Sequence, residues 1–167
     1  MAQLLSNKQI RDYLADMLSS FARINSGLLY WKERGTWHKR RFSDVDMEDM
    51  IELARLADPE MRPWLHKRIA DIALFLSGIF PDQAALFESR PRSTFSDKPT
   101  LKDYEKQGCR FYSLAAQETV HAPWGTTMEA LAENFTFARR ALNTLSDRYL
   151  KKQRICYFRF GNVGKNR

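Results

Sequence analysis

The segment LLYWKERGTWHKRRF, Leu28 to Phe42, sets five cations, Lys32, Arg34, Lys39, Arg40 and Arg41, against the single acid Glu33, with Tyr30, Trp31 and Trp37 interleaved. Cations hold phosphates or carboxylates by charge, and rings between them can stack on unpaired bases. The same chemistry returns at the end of the chain. Residues 148 to 167 carry seven Lys or Arg and no Asp or Glu, with Tyr157, Phe158 and Phe160 among them. The candidate contact residues are therefore Lys32, Arg34, Trp37, Lys39, Arg40 and Arg41 in the first segment and Lys151, Lys152, Arg154, Tyr157 and Arg159 in the second. The first segment is net +4 and the second +7, while the whole chain is +7, so the remainder carries −4. The body is mildly acidic and the positive charge sits on appendages. Loose basic-aromatic patterns also arise by chance in solvated hairpins and tails. A binding or scaffold role with a protein partner is accordingly the first expectation, and nucleic acid the second.

Catalytic patterns are weak. Glu118 and His121 form a Glu-x-x-His, the spacing used in di-iron bundles, but a second such pair and two further carboxylates are missing, and Ala122-Pro123 ends the helix there. Helical ribonucleases of the HEPN type place Arg and His on one helix with four to six residues between them. Here Arg62 and His66, and likewise Arg34 and His38, have three residues between them. Cys109 and Cys156 lack a Cys-x-x-Cys spacing and read as free thiols of a reducing compartment. No catalytic, cofactor-binding or metal-ligating residue is expected, and an enzyme with a pocket assembled from distant residues ranks behind binding.

The elements that must position these residues follow from hydrophobic period. A chain of 167 residues fits one domain, read as a helical domain over 1–150 with a basic tail over 151–167. Its most apolar run, IADIALFLSGIFPD from Ile69, offers 12 residues before Pro81 and includes Asp71, whereas a spanning helix needs about 20. It reads as the central helix of a bundle, with Leu76 enclosed, and not as a membrane anchor. The N-terminus lacks the pattern of a secretory signal, so the cytoplasm is the expected location.

Around that helix the sequence predicts an all-α bundle of about five main helices with a small hairpin near 28–42. The first helix starts on a Ser6/Gln9 capping box, carries Ile10, Leu14, Met17 and Phe21 inward, and stops at Gly27. A second runs from about Asp44 to Ala57. A third starts between Pro59 and Pro63. Thr100 with Asp103 caps a fourth, which extends to about Val120. Thr126 with Glu129 caps a long fifth helix, on which Met128, Leu131, Phe135, Ala138, Leu142, Leu145 and Tyr149 recur three and four apart. Such a seam packs inside one bundle or pairs two copies, and a homodimer is expected. Ser89 to Pro99 reads as an exposed connection. Gly108 within a helix requires a close neighbour, expected near Gly78, or else a ligand cleft lined by Tyr104, Tyr112 and Phe75.

The succession of IADIALFLSGIFPD, DYEKQGCRFYSLAAQ and LAENFTFARRALNTLSDRYL resembles an uncharacterised family of small helical bacterial proteins over most of residues 9–150. The resemblance implies an all-helical bacterial domain and brings no functional residues with it.

Overall fold

The computed structural model describes residues 2–23, 26–81, 100–118 and 124–150. The expected connection Ser89 to Pro99, His121, Cys156 and the basic segment after Leu150 lie outside these residues. Two short helices open the chain, α1 (Ala2–Ser6) and α2 (Lys8–Ser20), followed by an antiparallel hairpin of β1 (Ser26–Glu33) and β2 (Thr36–Ser43). Then come α3 (Met47–Leu56), α4 (Arg62–Ile79), α5 (Leu101–Glu118), α6 (Gly125–Glu133) and α7 (Phe135–Leu145), with a closing π-turn at Ser146–Leu150. The molecule is an all-α bundle with one small hairpin, as its periodicity predicts.

Helix α4 is the centre. Ile69, Ala70, Ile72, Ala73 and Leu74 are wholly inaccessible because α3, α5 and α7 pack around them. Leu76, expected to be enclosed, is half-buried, and Trp64 in the first turn of the helix is 55% exposed. At its first turn the buried Pro63 supplies a residue that needs no backbone donor. Among the described residues no helix is long and apolar enough to cross a membrane.

Local signals were obeyed where a side chain reaches a free amide. Thr100 and Asp103 form the reciprocal capping box, with the Asp103 amide donating to Thr100 Oγ1 at 3.2 Å and the Thr100 amide to Asp103 Oδ2 at 2.9 Å. Two other starts differ. Asn7, not Ser6, caps α2, accepting from the Gln9 amide at 2.9 Å, and α1 occupies the residues before it. Helix α6 begins at Gly125 without a side-chain cap, so Thr126 lies inside it. Helix α2 ends on Phe21, and Gly27 belongs to β1.

The expected long fifth helix is two helices joined at Asn134. This residue leaves helical geometry (φ −117°, ψ 26°), and both its backbone amide, at 3.1 Å, and its Nδ2, at 3.0 Å, donate to the Ala130 carbonyl. The seam itself holds. Met128, Leu131, Phe135, Ala138 and Leu142 are buried within the chain, while Leu145 and Tyr149 at its far end are exposed. Gly108 meets this seam and not Gly78: a Cβ there would lie 2.1 Å from Phe135 Cε2. The Phe135 ring fills the space in which a ligand cleft was expected, and Tyr112 is wholly buried.

Candidate functional site

The hairpin is built by its turn. Arg34 (φ 47°) and Gly35 (φ 84°) both take left-handed backbone, as the two central residues of a type I′ turn must, and this fixes the register of the arms. The ladder pairs Leu28 with Arg41, Tyr30 with Lys39 and Lys32 with Trp37. Directly paired residues share a side of the ladder, and the side alternates at each step. These six therefore form one face.

All six are exposed, with Leu28 at 55%, Tyr30 at 57% and Trp37 at 69%. Each pair sets one apolar group beside one cation, and no acid stands in any of the three pairs. Among the described residues no salt bridge engages Lys32, Lys39 or Arg41. Such a face presents positive charge and ring surface to solvent together. Of the six sequence candidates here, Lys32, Trp37, Lys39 and Arg41 come together on it, Arg34 sits in the turn, and Arg40 stands opposite Leu29 in the register, outside the set. Lys151, Lys152, Arg154, Tyr157 and Arg159 lie outside the described residues.

A residue absent from the sequence candidates positions this face. Arg68 of α4 donates from Nε to the Asp44 carbonyl at 3.0 Å and from Nη1 to Ser20 Oγ at 2.9 Å, and its Nη2 meets Asp44 Oδ2 at 3.3 Å. Its guanidinium also lies 4.0 Å above the Phe21 ring, which in turn stacks on Phe75 at 4.1 Å. Ser20 and Phe21 precede β1, and Asp44 follows β2. One planar group thus ties the residue after β2 and the end of α2 to the central helix, and the Ser43 amide adds a bond to Asp49 Oδ2 of α3 at 3.1 Å.

A second polar cluster lies in the core. Asp71 is 1% exposed, and its Oδ1 accepts hydrogen bonds from the hydroxyls of Tyr13 and Tyr112, the latter at 2.8 Å, while Lys67 Nζ reaches Oδ2 at 2.9 Å. Burial first, then the Asp71 charge, raises both tyrosine pKa values well above the usual 10.0. Every oxygen of the carboxylate has a partner, so the cluster joins α2, α4 and α5 as a satisfied network. His66 Nδ1 of α4 lies 2.7 Å from Glu118 Oε2 of α5, while His121 lies outside the described residues. Arg62 donates to the Ala57 carbonyl at 3.1 Å, closing the end of α3. Among the described residues no group of three His, Cys, Asp or Glu could hold a metal. A groove of about 260 Å³ between α5 and α6 is lined by Ser113, Ala116, Gln117, Glu129, Ala132 and Glu133.

Alternation could have found the face from sequence, because the turn at Arg34-Gly35 sets which residues pair. Arg68 and the tyrosines of the Asp71 network give no local signal; their partners lie 24 to 58 residues away. No family model, curated protein or solved structure matches the chain. The all-helical architecture implied by the sequence resemblance rests on the structure itself.

Proposed function

We propose that this protein is a binding module whose contact element is the outer face of the β1–β2 hairpin and whose helical body is the scaffold that presents it. The observation carrying this reading is that six paired residues, three cations and three exposed apolar groups, share one face with no acid among the pairs. Tyr and Trp are enriched at contact surfaces, and here Tyr30 stands opposite Lys39 and Trp37 opposite Lys32 with both rings exposed. The charge calls for an anionic partner. A cytoplasmic setting is part of the proposal, supported by Cys109, a free thiol whose pKa burial pushes up.

The test compares the intact chain with the Lys32→Gln, Lys39→Gln, Arg41→Gln variant against two anionic probes, poly-L-glutamate and oligothymidylate, at low salt. Binding of at least one probe should weaken severalfold in the variant, with unchanged circular dichroism. Equal binding by both proteins would contradict the proposal.

A further inference from the structure

We infer that the outer hairpin face is a site for single-stranded nucleic acid; this rests on the contact-face reading and names its partner. Tyr30 and Trp37 stand on different strands at diagonal positions, about 7–8 Å apart by ladder geometry, so they offer two ring platforms and not one stacked pair. Each platform is flanked by cations. Lys39 is opposite Tyr30 and two residues along from Trp37, while Lys32 is opposite Trp37 and two residues along from Tyr30. Arg41, opposite Leu28, extends the positive strip toward the hairpin root.

A ligand that matches this alternation supplies a negative group and a flat apolar group at each step. A single strand does so, with a phosphate and an unpaired base per nucleotide, and base stacking on exposed rings tolerates any sequence. A duplex offers the phosphates but keeps its base faces stacked on one another. A run of acidic residues offers carboxylates but no aromatic face for two rings exposed at 57% and 69%. Both rings are exposed, and Arg68 holds the residue that follows β2.

The experiment is fluorescence anisotropy of labelled oligothymidylate with the full chain across a salt series, with poly-L-glutamate as competitor. Trp37→Ala and Tyr30→Ala should each weaken binding about 5- to 150-fold, the loss expected for one stacked base, while Trp37→Phe retains most of it. Neutralising Lys32, Lys39 and Arg41 to Gln should lower the slope of log affinity against log salt by about 2, from three phosphate contacts on a single strand. All these side chains are exposed, so native circular dichroism is expected in every variant. Oligothymidylate binding that ignores both aromatic substitutions overturns the inference. Binding of poly-L-glutamate that depends on the three cations, without oligothymidylate binding, also overturns it but leaves the contact face standing. Failure of both probes removes the inference and the binding reading together.

Discussion

Single residues in the core carry consequences that are independent of function. Ile72 is wholly enclosed, and Ile72→Ala should cost about 2–5 kcal/mol in urea unfolding, whereas half-buried Leu76→Ala should cost clearly less. Equal losses would contradict the placement of α4. Gly108→Ala gains on the order of 1 kcal/mol of helix propensity but drives a methyl into the buried Phe135 ring. Overpacking costs about 1–3 kcal/mol, so a net loss of stability is expected; a stabilised variant would show the ring free to move. Asp71→Ala strands two tyrosine hydroxyls and a lysine, and should cost about 3–5 kcal/mol. The same network sets an alkaline limit. Tyr13 and Tyr112 hold their protons in the folded state at pH values where the unfolded chain releases them, so their contribution is intact below pH 10.0 and is lost as pH rises above it. Melting temperature should fall beyond that pH, less steeply in Tyr112→Phe. A flat profile there would contradict the burial of these hydroxyls.

At the scale of elements the hairpin is the least supported unit. A two-stranded ribbon is marginal alone in water, and this one is joined to the body through α3 and through Arg68. Its amides should exchange with solvent far faster than those of α4, and Arg68→Ala should raise the hairpin rates further while leaving α4 unchanged. Uniform exchange across both would contradict the clamp. Much of this architecture was readable from sequence, and the failures have physical causes. Periodicity found the central helix and the buried seam, because inward residues every three or four positions are what a bundle requires. It missed the break at Asn134, since a side-chain amide bonding back to Ala130 leaves the hydrophobic spacing untouched. Ser6 looked like a cap by residue type, but Asn7 sits where its oxygen meets the Gln9 amide. Asp71 read as an interruption of an apolar run because its partners, Tyr13 and Tyr112, come from helices distant in sequence.

For the whole molecule, the separation of charge is the feature that sequence and structure share. Net charge located the basic segment, but counting charge could not sort it by face, so Arg40 was grouped with residues that the register sets apart from it. Tyr30, outside the sequence candidates, joins the face by the same register. Assembly is also affected by where the seam lies. Its residues from Met128 to Leu142 pack within the chain, so a homodimer would have to use other surface, such as the exposed Leu145 and Tyr149 or the hairpin rings, and sedimentation would then show a mass above 19.6 kDa that depends on concentration. A mass of 19.6 kDa at every concentration would rule the homodimer out. The central claim, that the hairpin's outer face is where this protein meets its partner, is tested most directly by recording amide and indole NMR shifts while short oligothymidylate is added at low salt. Shifts confined to residues 28–41, with the Trp37 indole moving most, are the result the structure predicts; shifts centred on the α5–α6 groove, or none within the hairpin while the probe is bound, would contradict it.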